Sequence, residues 1–283
     1  MQKSLSGRQE AERNRKDWQR VIRAAIFDID DTLFDTKTRR FVPSAIKSLK
    51  QLREKGVLVV LATGRPPLSA GVIWKEGVRP DYMVCINGHL ILDSKGEVVR
   101  EETFDKELSG EIFEYCRKRK IGLLWKYPDK IYEYIYAEVF RNFYAKSEEA
   151  SGNVIRGKTD IHLFRRPDGG CLGCSAKEAE EFNEAFYGRC KAVKIDEESS
   201  DLLLFGVNKK SAVERLMTLL EIDKEECIAF GDNMNDVELL QYAGVGVCMG
   251  NGSEELKRYA DYVTKPLWED GVLHALSRYR LLS

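Results

Sequence analysis

From residue 24 onward, short continuous apolar runs alternate with segments whose apolar residues recur at helical spacing. Ala24-Ala25-Ile26-Phe27 is the first run, and it ends at Asp28. Apolar residues at 42, 46, 49 and 52 then predict a helix over 43–52. Lys55-Gly56 supplies the last-turn cation and left-handed glycine that close such a helix. Residues 57–62 (Val-Leu-Val-Val-Leu-Ala) and 82–86 (Tyr-Met-Val-Cys-Ile) are further apolar runs without alternation, the pattern of strands covered on both faces in a parallel sheet. The opening third therefore reads β-α-β-α-β.

The middle of the chain has a different texture. A helical stretch over 108–119 is followed by aromatic, alternating segments such as Ile131-Tyr132-Glu133-Tyr134-Ile135-Tyr136, which predict a half-exposed antiparallel sheet. The earlier pattern then returns. Asn208 can cap a helix with apolar residues at 212, 213, 216, 217, 219 and 220, and 227–230 and 245–248 read as buried strands. The expected fold is α/β: a doubly wound, Rossmann-like parallel sheet over 21–103 and 198–283, interrupted by an inserted α+β cap over 104–197. Residues 1–20 form a polar N-terminal extension of mixed charge, with Trp18, Val21 and Ile22 spaced to pin its end to the core.

Composition narrows the function classes. The chain has 283 residues, 43% hydrophobic and 32% charged, enough apolar surface for sizeable cores and too much for a disordered protein. Lys+Arg number 45 against 46 Asp+Glu, so no positive excess suits nucleic acid or an anionic membrane. No apolar run approaches the roughly 20 residues that span a bilayer. Seven cysteines are scattered along the chain, and residues 1–20 contain no apolar core to serve as a secretory signal. The expectation is a cytoplasmic protein with its cysteines as thiols.

Open α/β sheets place their sites at the carboxyl ends of the strands. Asp28-Ile29-Asp30-Asp31-Thr32 follows the first predicted strand, Thr63-Gly64-Arg65 the second, Asn87-Gly88 the third, and Gly231-Asp232-Asn233-Met234-Asn235-Asp236 the strand ending at Phe230. Lys209 starts a following helix and adds a cation. Asp28, Asp30, Asp232 and Asp236 in one crevice would repel one another unless a cation sat among them. An all-oxygen donor set favours Mg²⁺, which often completes its shell with substrate phosphate, and the absence of His or Cys at these strand ends argues against zinc. A hydroxyl, backbone N–H groups around Gly64 and a lysine are donors suited to phosphoryl oxygens. Any one of these motifs alone reads as readily as turn or cap residues, but four in register at strand ends point to Mg²⁺-assisted phosphoryl transfer with a carboxylate nucleophile.

These segments resemble the four motifs of the haloacid dehalogenase-like phosphatases. Leu61-Ala62-Thr63-Gly64-Arg65, Ile86-Asn87-Gly88, Gly206-Val207-Asn208-Lys209 and Met249-Gly250-Asn251 are similar to the Cof-type subfamily, which carries a large α+β cap between its second and third motifs. The resemblance spans residues 24–283 in motif order. It implies that Asp28 is the nucleophile, forming an aspartyl-phosphate, and that Asp30 is the acid–base. It implies Mg²⁺ held by the Asp28 carboxylate, the Asp30 backbone carbonyl and Asp232, with Asp236 holding the ligand shell, and a phosphoryl group bound by the Ile29 backbone, Thr63, the Gly64 N–H, Lys209 and Asn235. Two positions depart from the pattern: Asp31 stands where the subfamily usually has Gly, and Gly252 where it usually has Ala.

The implied activity is hydrolysis of a small phosphorylated metabolite, a sugar phosphate above all. A phosphomutase using the same intermediate and a non-catalytic sensor are the alternatives; retention of both Asp28 and Asp30 argues against the sensor. Other signals have plainer readings. Cys171-Leu172-Gly173-Cys174 lacks the second ligand pair of a zinc site and reads as a loop before a helix capped by Ser175 and Glu178. Trp125, Tyr127 and Tyr132 read as strand packing rather than pocket lining.

Overall fold

Each continuous apolar run is a strand in the computed structural model of the chain, which describes residues 21–140 and 152–282. The expectations for residues 1–20, Trp18 included, lie outside the described residues. In chain order, β1 (Ala24–Phe27) leads into a small hairpin, β2 (Phe34–Asp35) and β3 (Arg40–Phe41), and then α1 (Pro43–Glu54), β4 (Leu58–Ala62) and the single turn α2 (Pro67–Ala70). There follow β5 (Tyr82–Cys85), β6 (Leu90–Asp93), β7 (Val98–Glu101), α3 (Lys106–Arg119), β8 (Gly122–Lys126), β9 (Ile131–Ile135), β10 (Val154–Arg156), β11 (Gly169–Gly173), α4 (Ala176–Ala185), β12 (Cys190–Lys194) and β13 (Ser199–Leu204). The chain closes with α5 (Lys209–Leu219), β14 (Cys227–Gly231), α6 (Val237–Tyr242), β15 (Val245–Cys248), β16 (Tyr262–Val263) and α7 (Gly271–Arg278).

These elements divide into two units. The first takes residues 21–62, Glu76–Asp81 and 213–282; the second takes Thr63–Lys75 and the described part of Tyr82–Ala212. In the first unit five strands stand in the order β16-β15-β14-β1-β4, every neighbouring pair parallel. All four residues of β1 are fully buried, as a strand covered on both faces requires, and Phe27 stacks on Phe230 across the β1–β14 register. α1 packs against β4 and α7, and α6 against β14 and β15. β1 stands between β4, the next strand of this sheet along the chain, and β14, which the chain reaches only after the second unit. The strand order therefore runs to opposite sides of β1, a topological switch point of the kind at which open α/β sheets place their sites.

In the second unit β5, β6 and β7 pair antiparallel. A six-stranded sheet runs β10-β9-β8-β11-β13-β12, antiparallel except for β9 with β10. α3 and α4 cover it over a core that includes Phe104, Ile112, Leu123, Trp125, Tyr127 and Phe182. Trp125 and Tyr127 are fully buried, which places them in packing. Ser175 and Glu178 form the expected capping box at the start of α4.

Two local features differ from expectation. The hairpin β2–β3 has two residues per strand, too few for any period to show. Cys171 lies not on a loop but in β11, whose three glycines mask its strand character. Those glycines allow close packing: a Cβ on Gly170 would lie 2.7 Å from the Leu124 carbonyl oxygen. Cys171 and Cys174 are buried thiols, and burial pushes Cys171 up to about 12, the opposite of what a metal-binding thiolate needs.

Candidate active site

Asp28 is the first residue past β1 and remains tied to the sheet, its N–H donating to the Phe230 carbonyl at 3.0 Å. The residue is 5% exposed. Asp232 is the first residue past β14, and Asp236 ends a short 3₁₀ turn over Met234–Asp236. Asp28, Asp232 and Asp236 each offer a carboxylate oxygen, and these oxygens lie within 4.8 Å of one another. No other such group of three potential ligands occurs among the described residues.

The 231–236 segment is shaped to bring its two aspartates together. One Asp236 carboxylate oxygen accepts from the Asp232 N–H at 3.1 Å and from the Asn233 N–H at 3.4 Å, tying the carboxylate back over its own turn. A Cβ on Gly231 would lie 2.5 Å from the Asp236 carboxyl carbon, so only glycine admits that approach. Asp236 is fully buried and anchored by backbone donors, whereas Asp232 is partly exposed. The donor set is all oxygen, and two of its three carboxylates are buried with like charge beside them. A hard divalent cation fits that arrangement, and a soft metal does not.

Asp30 and Asp31 continue the turn after β1. Asp31 has φ +50°, a conformation that favours glycine, which accounts for the residue usual at this position. Aspartate is held there by its own side chain, which accepts from the Thr36 N–H at 3.1 Å and hydroxyl at 2.9 Å. Asn251 donates to the Asp31 carbonyl at 2.8 Å and accepts from the Leu267 N–H at 2.8 Å, bracing the turn from the opposite side. Ile29 is fully buried, Asp30 half-buried, and Asn235 lies half-buried within the 3₁₀ turn.

The remaining expected residues, Thr63, Gly64 and Lys209, belong to the second unit, where three segments converge. Thr63 is 1% exposed, and its hydroxyl accepts from the Arg65 N–H at 3.1 Å. The turn Ile86-Asn87-Gly88 folds back onto this loop: the Asn87 N–H donates to the Thr63 carbonyl at 2.9 Å and the Ile86 N–H to the Arg65 carbonyl at 3.0 Å. A Cβ on Gly64 would meet the Asn87 amide at 3.2 Å. A Cβ on Gly88 would clash with the Asn208 carbonyl oxygen, so the same turn also abuts the start of α5, where Lys209 is 1% exposed. Asn208 caps that helix, its side-chain oxygen accepting from the Ser211 N–H at 2.7 Å.

Sequence reasoning did not single out Lys126 and Asp201, which also border this loop. Lys126 Nζ donates to the Gly64 carbonyl at 3.3 Å, and Asp201 accepts from the Asn87 amide at 2.7 Å. A lysine closing the apolar run Leu123-Leu124-Trp125 and an aspartate directly before Leu202-Leu203-Leu204 were the only signal available. Among the described residues no helix is long and apolar enough to cross a membrane.

Comparison with known proteins agrees with this picture. A family model described as haloacid dehalogenase-like hydrolase matches residues 25–276. A putative phosphatase of Bacillus subtilis, YkrA, is 27% identical over 257 residues, covering 90% of this chain and 97% of that protein. An HMP-PP phosphatase of Serratia proteamaculans is 29% identical over 247 residues, covering 84% and 87%. Among solved structures, a subclass IIB sugar phosphatase of the same superfamily superposes with a TM-score of 0.82 at 23% identity, covering 92% of this chain and 100% of that one, a likeness of fold.

Proposed function

This chain belongs to the haloacid dehalogenase-like hydrolase family, as a phosphatase of small phosphorylated substrates, and we propose that it is a Mg²⁺-dependent phosphomonoesterase working through an aspartyl-phosphate. The observation that carries this reading is the trio Asp28, Asp232 and Asp236 at the carboxyl ends of β1 and β14, their oxygens within 4.8 Å of one another. Asp28 and Asp232, with the Asp30 carbonyl, would hold Mg²⁺, and Asp236 would fix the shell. The ion would neutralise charge on the phosphoryl oxygens and on the carboxylates around them.

In the first step a carboxylate oxygen of Asp28 attacks phosphorus, a P–O bond to Asp28 forms, and the P–O bond to the leaving group breaks. Asp30 gives its proton to the departing oxygen. In the second step Asp30, now a carboxylate, takes a proton from water. That water oxygen bonds to phosphorus, the Asp28–phosphorus bond breaks, and inorganic phosphate leaves with Asp28 restored. The Ile29 backbone, Thr63, the Gly64 N–H, Lys209 and Asn235 would bind the transferring group, the electrostatic stabilisation that such chemistry chiefly needs.

Residues 104–197 would act as a cap inserted into a core of 21–103 and 198–283, selecting the substrate by its leaving group. A sugar phosphate is the substrate class the reading favours, supported by the sugar phosphatase of like fold. The near-balance of charge supports a small metabolite rather than a nucleic acid, and seven free, buried cysteines support a cytoplasmic setting.

Phosphate release from a panel of phosphomonoesters, in MgCl₂ and in EDTA, tests the assignment. Release from sugar phosphates in MgCl₂ alone, abolished by Asp28→Asn in a folded protein, is expected. No release from any ester by folded protein refutes it, and conversion of one phosphosugar into another with little free phosphate would mean a mutase instead.

A further inference from the structure

Lys126 on β8 and Asp201 on β13 form a buried ion pair, Nζ to carboxylate oxygen 2.8 Å, with side chains 5% and 10% exposed. Burying two charges carries a desolvation cost that their attraction must offset, and an apolar pair of similar shape would commonly serve the core as well or better.

Both reach the same loop. Lys126 Nζ also donates to the Gly64 carbonyl at 3.3 Å. The second oxygen of Asp201 accepts from the Asn87 amide at 2.7 Å, and the Asn87 amide lies against Gly64. Asn87 sits in a turn of consecutive left-handed residues: Ile86 at φ +50°, Asn87 at +51° and Gly88 at +104°. For a β-branched isoleucine this conformation is a genuine outlier, and such strain persists only where surrounding bonds over-determine it. The bonds that do so are the Asn87 and Ile86 N–H groups donating to the Thr63 and Arg65 carbonyls, and Asp201 on the Asn87 side chain.

We propose that Lys126 and Asp201 are positioning residues for the phosphoryl-binding loop, the ammonium fixing the Gly64 carbonyl and the carboxylate fixing the strained Asn87 turn that is hydrogen-bonded to the same loop. The proposal rests on the reading that Thr63 and the Gly64 N–H hold the transferring phosphoryl group. The Thr63 carbonyl that accepts from the Asn87 N–H shares its peptide plane with the Gly64 N–H, and the Gly64 carbonyl that Lys126 holds lies in the next plane, so fixing both planes sets the direction of the Gly64 N–H. A displacement of about 1 Å in such a donor lowers rates by roughly a hundredfold.

The paired variant K126M/D201N removes both charges at nearly constant shape, so neither partner is left as a stranded buried ion. Its thermal midpoint should stay within a few degrees of the wild type. Affinity for inorganic phosphate, read by titration calorimetry in MgCl₂, should fall about tenfold or more, with kcat/KM on p-nitrophenyl phosphate falling alongside. A role confined to packing would move the midpoint and leave the phosphate affinity of the folded protein unchanged, which overturns the proposal. Asn87→Gly tolerates the left-handed backbone while deleting the bond to Asp201; it should lose phosphate affinity in the same direction, and it decides the matter if the paired variant does not fold. A wild type that binds phosphate yet hydrolyses no ester would refute the hydrolase reading alone, with the phosphate affinities still deciding Lys126 and Asp201.

Discussion

Replacing Asp232 by Asn should stabilise the metal-free protein and destroy its response to Mg²⁺. Three carboxylate oxygens lie within 4.8 Å of one another, so each like-charge pair costs at least about 0.9 kcal/mol at the dielectric of water and about 3.5 kcal/mol at an effective dielectric near 20. Asp232→Asn removes the two pairs in which Asp232 takes part, which brackets the relief between about 2 and 7 kcal/mol. Asp232 is the partly exposed member of the trio, so solvent screening places the gain near the lower end, about 2 kcal/mol. The substitution is nearly isosteric and keeps the backbone N–H that donates to Asp236.

The assay is urea unfolding of both proteins in EDTA and in MgCl₂. In EDTA the variant should be the more stable, and the difference should shrink as KCl is added. At an ion concentration a hundred times its Kd, the wild type should gain about 2.7 kcal/mol while the variant gains little, so the order of stabilities reverses. A variant less stable than the wild type in EDTA, or one that gains as much from MgCl₂, would refute the argument that these carboxylates are assembled against their own repulsion to hold a cation.

Two further predictions concern the frame of the site. His89 is fully buried, with Nδ1 2.8 Å from the Ile86 carbonyl and Nε2 accepting from the Leu204 N–H at 3.1 Å, which requires a neutral ring protonated on Nδ1. Burial pushes its pKa down to about 4, so the unfolded state binds the proton first as pH falls and stability drains between pH 6.5 and 4. The loss should be about 1.4 kcal/mol by pH 5.5 and about 2.6 kcal/mol by pH 4.5, and urea titrations in which His89→Gln shows the same acid slope as the wild type would contradict it. At Asp31, glycine relieves the left-handed strain while losing the bonds to Thr36, so D31G should stay within about 1 kcal/mol of the wild type; D31A keeps the strain and loses the bonds, so it should fall about 1–2 kcal/mol below D31G, and equal midpoints for the two would refute this account.

What could be read in the sequence, and what could not, follows from the range over which each feature is encoded. Ala24–Phe27 and Val245–Cys248 are strands over the very residues of their apolar runs, because a strand buried on both faces needs apolar side chains at every position and polar ones where it emerges. That emergence also made the chemistry legible. Asp28 and Asp232 each stand one residue past a buried strand, and parallel neighbours with common direction must deliver those residues to the same end of the sheet. The Ser175 cap needed only four residues to be recognised. Lys126 and Asp201 are of another kind, 75 residues apart, and their meeting depends on how β8 and β13 both register against β11. A slip of one residue in either pairing would turn that side chain to the opposite face of the sheet. The strand β11 that sets both registers is the one its three glycines concealed, so the pair behind the phosphate loop was hidden by the same local sequence that hid the strand. The Ile86-Asn87-Gly88 turn lies between these cases. Its Asn-Gly pair announces a left-handed turn, but the isoleucine held in the same conformation is dictated by the Thr63 loop and by Asp201, and no local propensity would have placed it there.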